Sequence, residues 1–304
     1  MTLDDATTAL LGQLAAAGGP PMHELDPAGA RARMAGLAGL MPAGPDTVAL
    51  GERAIPTRDG EVPALVLTPE RPCGVLLYFH GGGWVLGSPA ENEALGRRLA
   101  DRTGCTVVLA GYRLAPEHRW PAAVDDAWDV LSWTAGQHPG LPLVVAGDSA
   151  GGNLAAILSR RARDAGGPAI AAQVLVYPVT DHDFGTDSYT DPANQLALNA
   201  DTLRWFWDHY VAADDRDHPD VSPLRTADLG GLPPAVVLTA EHDVLRDEGE
   251  AYAERLRAAG VPVSLRRFDG QMHGFFTMVG LLPGHDAALD HVAAELGRVL
   301  TQEH

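Results

Sequence analysis

The chain has 304 residues, 46% hydrophobic and 20% charged, an ordinary balance for a folded protein with a sizeable core. Its net charge of −18 repels phosphate backbones and anionic lipid headgroups, so nucleic acid and membrane surfaces are excluded as expected partners. All 22 basic residues are arginine, a bias that fits a GC-rich genome. Two cysteines, Cys73 and Cys105, make no disulfide framework in a chain this long and point to a reducing, cytoplasmic setting.

Residues 1–14 carry Asp4 and Asp5 with no basic cluster, so no secretory signal is read there. No run of about 18 apolar residues occurs, so no membrane span is expected. Thr7 to Ala17 reads as a helix ended by Gly18-Gly19-Pro20-Pro21, and Pro27 to Leu40 as a weaker one. Residues 1–45 thus form a helical piece ahead of the main domain, 46–304. Val48 to Ile55 and Val62 to Thr68 are strand-like around an Arg58-Asp59-Gly60 turn. Buried-strand runs then recur at Gly74 to His80, Thr106 to Ala110, Leu143 to Ala146, Ala171 to Tyr177, Ala235 to Ala240 and Val261 to Phe268. Helix-period segments separate them: Asn92 to Arg102, Ala122 to Ala135, Gly152 to Ala165, Asp247 to Ala259 and, after the last strand, Ala287 to Leu300. The alternation predicts an α/β fold with an eight-stranded, mostly parallel sheet, its first two strands antiparallel.

One stretch breaks the rhythm. Asp181 to Pro219 has no strand signal and contains a helix, Ala200 to Val211, that is apolar on too many sides to stand alone. We read it as a cap insert over the carboxyl edge of the sheet, joined by the N-terminal helices, with Leu10, Leu11 and Leu14 expected against the aromatic helix around Trp205.

Gly147-Asp148-Ser149-Ala150-Gly151 fits G-x-S-x-G between a strand and a helix, which places Ser149 on a sharp turn at a helix N-terminus. Small neighbours permit the strained backbone such a nucleophile needs. His80-Gly81-Gly82-Gly83-Trp84 follows the third strand, and its bare N–H groups suit an oxyanion hole; the donors expected are Gly81, Gly82 and Ala150. His80 itself reads as structural. An activated serine needs a base and an orienting acid, in the chain order Ser, Asp or Glu, His. Asp243 follows the seventh strand and His273 the eighth, with Glu241 as the other candidate acid. His242, His285 and His291 read as solvated or structural. Asp181-His182-Asp183 with Asp187 and Asp191 does not fit a calcium loop and reads as polar surface; no metal and no cofactor are expected. Trp84, Trp205 and Phe206 are candidate pocket residues, and holding the cap together is the other reading of the insert's aromatic group.

These motifs resemble the bacterial hormone-sensitive-lipase family of esterases. The matching segments are His80-Gly81-Gly82-Gly83, Tyr112-Arg113-Leu114-Ala115-Pro116-Glu117, Gly147-Asp148-Ser149-Ala150-Gly151-Gly152, Asp243-Val244-Leu245-Arg246-Asp247-Glu248 and Met272-His273-Gly274-Phe275. They run in order from about Thr47 to the C-terminus, with Val244 standing where the family usually has proline. The resemblance implies an α/β-hydrolase fold with a helical cap, hydrolysis of short- to medium-chain carboxylic esters without a cofactor, and often a homodimer. Two other readings stay open: an amidase or peptidase of the same fold, and a non-catalytic binding protein, since plant gibberellin receptors resemble this family. Retention of His273 in its full local motif separates the last from an enzyme.

Overall fold

Alternation along the strands gives the protein a core on each face of one sheet. In β3 (Val75–Phe79), Val75, Leu77 and Phe79 enter one buried cluster while Leu76 and Tyr78 enter the other, as the two-residue period of a strand requires. The protein is described over residues 2–301 of a computed structural model. The other strands are β1 (Ala49–Thr57), β2 (Gly60–Thr68), β4 (Thr106–Ala110), β5 (Leu143–Asp148), β6 (Ala172–Val176), β7 (Ala235–His242) and β8 (Val263–Met272). Their order is β1-β2-β4-β3-β5-β6-β7-β8. Only β1–β2 and β2–β4 pair antiparallel, so the expected eight-stranded, mostly parallel sheet is what forms.

Helices cover both faces. α4 (Ala122–Gln137), α5 (Ala150–Ala165) and α8 (Arg246–Ala258) bring Val124, Leu131, Leu154, Leu158 and Leu256 to the first cluster. α3 (Glu93–Thr103) and α9 (Pro283–Leu300) bring Leu95, Leu99, Leu289, Val292 and Leu296 to the second. Among the described residues no helix is long and apolar enough to cross a membrane.

Two boundaries differ from the sequence reading by four residues, the others by two or fewer. β8 does not stop at Phe268 but continues through Asp269-Gly270 to Met272, across a register shift opposite Ala240–His242. Gly270 takes φ +69 there, so a residue pair that reads as a turn is instead a bulge inside the strand. α9 starts at Pro283 rather than Ala287, because proline's fixed φ suits a helix's first turn, where its missing N–H has no intrahelical role.

The first 45 residues also divide. α1 (Asp5–Ala17) lies by β8: the Asp4 N–H donates to the Gly270 carbonyl at 3.1 Å, Gln271 donates to the Asp4 carboxylate, and Leu10 and Leu11 pack into the second cluster. They therefore do not reach the aromatic helix as expected. The segment 22–38 does. Met22, Leu25 and Met34 join the first cluster, α2 (Pro27–Ala38) buries Ala30 there, and His23 lies 3.3 Å from Thr202. In the insert, α6 (Asp187–Thr190) and α7 (Ala200–Tyr210) are separated by short turns, and Leu203, Phe206, Trp207 and Tyr210 are buried.

One buried ion pair fixes the loop after β4. Asp126, fully enclosed on α4, accepts hydrogen bonds from the Arg113 backbone N–H at 2.9 Å and from its Nε and Nη2 at 2.9 Å. Arg113 is partly exposed and also pairs with Asp59 at 3.0 Å, whereas Asp126 is fully enclosed with Arg113 as its counter-charge, so it is removal of Arg113 that leaves a buried charge uncompensated, at a cost of about 3–5 kcal/mol. Arg113→Ala is expected to lower the unfolding free energy by about 3 kcal/mol or more in a denaturant titration; a loss under about 1 kcal/mol would show the pair to be dispensable.

Candidate active site

Ser149 ends β5 and begins α5, with φ 55° and ψ −118°. Few non-glycine residues adopt that conformation, and it persists only where the surroundings over-determine it. They do so here. The Ser149 N–H donates to the Val176 carbonyl at 2.9 Å, and its own carbonyl accepts from Asn153 and Val179 at 3.0 and 3.2 Å. A Cβ on Gly151 would overlap the Phe79 carbonyl, and one on Gly147 would overlap Gly151 itself. The two glycines of the motif therefore exist for close approach: the first turn of α5 lies directly on the end of β3.

Asp243 and His273 meet at the ends of β7 and β8. His273 Nδ1 lies 2.7 Å from Asp243 Oδ2, while Asp243 Oδ1 accepts the Leu245 N–H at 2.9 Å. Asp243 is buried, and the His273 side chain keeps a small exposed face. The imidazole rests on Tyr177, ring centroids 4.5 Å apart, and Tyr177 directly follows the Val176 that holds Ser149. Among the described residues the Ser149 hydroxyl has no hydrogen-bonding partner, His273 included; such bonds are often long before substrate arrives. The other candidate acid is engaged elsewhere: Glu241 Oε2 accepts the Gly270 N–H at 2.7 Å at the bulge of β8.

The glycine loop departs from expectation at Gly81. Its N–H donates to Asp148 Oδ1 at 2.9 Å, so it is not an open donor. Asp148 Oδ1 also accepts from the Tyr78 hydroxyl at 2.8 Å. Burial pushes this carboxyl upward, against the two donors and nearby His273, which favour the anion. The N–H groups of Gly82 and Gly83 have no acceptor among the described residues. The N–H of Ala150 is the first of α5 and has no intrahelical acceptor. Asp148 was not singled out in the sequence, although its place inside G-x-S-x-G was the available signal.

The three aromatic candidates separate. Phe206 lies against the glycine loop, where a Cβ on Gly83 would overlap its ring. Trp205 is half-buried, edge-on to Phe206 at 5.2 Å. Trp84 is fully enclosed, stacked on Tyr210 at 4.1 Å and edge-on to Trp207 at 5.3 Å. It supports the loop from behind and does not line open space. Glu248, in the first turn of α8, accepts the N–H groups of Thr180 and Asp181 through Oε1 at 2.7 and 3.2 Å, which pins the root of the insert. Asp181 is paired with Arg225 at 2.6 Å. His285 is enclosed and bonded to the Phe276 carbonyl through Nδ1.

The profile of a family described as alpha/beta hydrolase fold matches residues 76–277. The chain belongs to that family. It is similar to Carboxylesterase NlhH of Mycobacterium tuberculosis, 42% identical over 235 residues that cover 74% of each chain. It is also similar to ethyl acetate hydrolase of Pseudomonas putida, 36% identical over 292 residues and 91% of each. Among solved structures, a thermostable esterase from Pseudomonas putida ECU1011 superposes with a TM-score of 0.93 at 38% identity, covering 98% of both chains. A hyperthermophilic esterase from the archaeon Pyrobaculum calidifontis does so at 0.89 and 37%, covering 97% of this chain and 98% of that one. The hormone-sensitive-lipase resemblance seen in the motifs is thus upheld by relatives that span most of the α/β-hydrolase chain.

His80 carries a pH consequence. Burial lowers its pKa to about 4, against the ordinary 6.5, despite its bond to the Gly81 carbonyl. Between those values the unfolded chain binds the proton and the folded one does not, so stability rises with pH through the window and falls as pH drops from about 6.5 towards 4. The shift corresponds to about 3 kcal/mol. His80→Gln is expected to flatten this part of the stability–pH curve, measured by urea unfolding; an unchanged slope would assign the acid sensitivity to other groups.

Proposed function

We propose that the protein is a serine carboxylesterase acting on small, soluble esters through a covalent acyl-enzyme. The observation that carries the reading is the 2.7 Å contact between His273 Nδ1 and the buried Asp243 carboxylate, beside a serine held on a strained strand-to-helix turn. In this reading His273 Nε2 removes the Ser149 proton and Ser149 Oγ attacks the ester carbonyl. Gly82, Gly83 and Ala150 donate N–H groups to the developing oxyanion, with Gly83 taking the place expected for Gly81. His273 then protonates the leaving alcohol, and a water molecule repeats the cycle to release the acid. Asp243 holds the ring in its working tautomer and stabilises its cation. The names of the relatives support ester over amide as substrate. A complete His–Asp pair supports turnover over mere binding. Phe206 and Trp205 supply the apolar wall nearest the glycine loop, and the segment 22–38 with the 181–219 insert supplies the cap.

Purified protein is expected to hydrolyse p-nitrophenyl butyrate and to be labelled at Ser149 by a fluorophosphonate. Ser149→Ala should remove both, with turnover down by about 10⁴-fold or more, while the unfolding transition is retained. A folded Ser149→Ala protein with near-normal turnover would refute the assignment. A soluble butyrate ester is also expected to outperform emulsified long-chain triglyceride, because the cap encloses the site; the reverse order would contradict an enclosed short-acyl pocket.

A further inference from the structure

Arg31 stands outside every motif that located the site, yet it reaches the loop that displays the open N–H groups. It lies on α2, and its guanidinium donates on several sides at once. Nε donates to the Val85 carbonyl at 2.8 Å, and Nη2 to the Ala115 carbonyl at 2.9 Å. Nη1 and Nη2 donate to the two oxygens of Glu117 at 2.8 and 2.6 Å. Val85 belongs to the turn that follows the three glycines; Ala115 and Glu117 belong to the loop after β4. The same two segments are joined by the Ala115 N–H donating to the Trp84 carbonyl at 2.9 Å.

The turn gives that grip a direction. The N–H groups of Val85 and Leu86 both donate to the Gly82 carbonyl, at 3.1 and 2.9 Å. In a trans peptide the carbonyl and the following N–H point opposite ways across one rigid plane. Once the Gly82 carbonyl is drawn into the turn, the Gly83 N–H faces out of it. Whatever fixes the Val85–Leu86 peptide therefore helps to fix the aim of the Gly83 donor, and among the described residues Arg31 makes the one side-chain hydrogen bond to its carbonyl.

We propose that Arg31 is a positioning residue for the oxyanion donors, so that the N-terminal segment acts on the chemistry and not only as a cover; this rests on the esterase reading above. The residue type fits the task. A planar fork satisfies two carbonyls and a carboxylate simultaneously, whereas a lysine ammonium offers a point charge without that geometry. Glu117 orients the fork, and the guanidinium beside it holds its carboxyl well below the usual range. The pair is substantially exposed, and pairs of this kind contribute little to stability, so its effect is expected in the turn's geometry more than in the fold.

The test compares wild type with Arg31→Met, Arg31→Lys and Glu117→Gln in the full chain. It reads kcat and KM for p-nitrophenyl butyrate per fluorophosphonate-titrated site. It also reads affinity for a trifluoromethyl ketone, whose carbonyl carbon bonds to Ser149 Oγ as the hydroxyl proton passes to His273, leaving an oxyanion. Arg31→Met is expected to lose about tenfold in kcat with KM within about threefold, and to bind the ketone about tenfold more weakly. Arg31→Lys is expected not to restore either. Glu117→Gln, which leaves both carbonyl contacts in place, should lose less. Amide hydrogen exchange over residues 81–87 should quicken in Arg31→Met. If that variant does not fold, Arg31→Lys and Glu117→Gln carry the same comparison. A folded Arg31 variant with kcat and ketone affinity within twofold of wild type and only a lower melting temperature would overturn the proposal, leaving Arg31 a staple of α2. A wild-type protein that neither hydrolyses esters nor binds the ketone would instead fail the esterase reading itself.

Discussion

The architecture of the site depends on how closely the first turn of α5 can approach the end of β3. That approach puts Gly151 against the Phe79 carbonyl and Gly147 against Gly151, with no room for a side chain at either position. It forces Ser149 into a backbone conformation that costs on the order of 1–3 kcal/mol, sustained by hydrogen bonds to both its N–H and its carbonyl. The helix bearing that strain is among the most enclosed in the protein, buried at every position from Ala150 to Ser159. The serine is therefore presented by the rigid centre of the sheet, and its neighbours are loops brought to it.

Those loops are held by carboxylates in a consistent way. Asp148 takes the N–H of Gly81, Asp126 that of Arg113, Glu241 that of Gly270, Asp243 that of Leu245, and Glu248 those of Thr180 and Asp181. A carboxylate has two acceptor oxygens and, when ionised, no donor to satisfy. Ionised, it makes charge-assisted bonds to backbone N–H groups that are stronger than neutral ones, and at Asp148 and Glu248, where burial pushes the carboxyl pKa up, the N–H donors act against that push. Each of these acids lies inside the protein, where an unpaired polar group is costly, so the loop it binds has one favoured position. An acidic sequence thus serves more than solubility: several of its carboxylates act as backbone pins around the carboxyl edge of the sheet.

What was legible in the sequence follows from the range of the interactions involved. Ser149, Asp243 and His273 could be placed along one edge of the sheet because each sits at a strand end, and strand ends can be read from apolar runs and turn residues. The sheet was legible for the same reason, since its central strands are short uninterrupted apolar segments. Gly81 was misassigned because three consecutive glycines look alike in a sequence; only the position of the Asp148 carboxylate distinguishes the first from the other two. Trp84 was misread because an aromatic beside a glycine loop carries no sign of which way it points, and here Tyr210, far away in sequence, stacks on it. The packing of Leu10 and Leu11 failed for a related reason. An apolar face needs a partner, but periodicity does not say which, and the bond from Asp4 to Gly270 draws α1 to β8.

The same long-range packing limits how the cap can move. Leu203, Phe206, Trp207 and Tyr210 of α7 belong to the apolar cluster that contains Phe79 of β3 and Leu154 of α5. Lifting α7 off the sheet would return four large side chains to water, at roughly 1.5–3 kcal/mol each, and would break the stack between Tyr210 and Trp84 directly behind the glycine loop. That cost is comparable with the whole stability of an ordinary domain, too large to meet on every catalytic cycle. An insert continuous with the core also couples Phe206 to the glycine loop beneath it, so a substitution that repacks one is bound to shift the other.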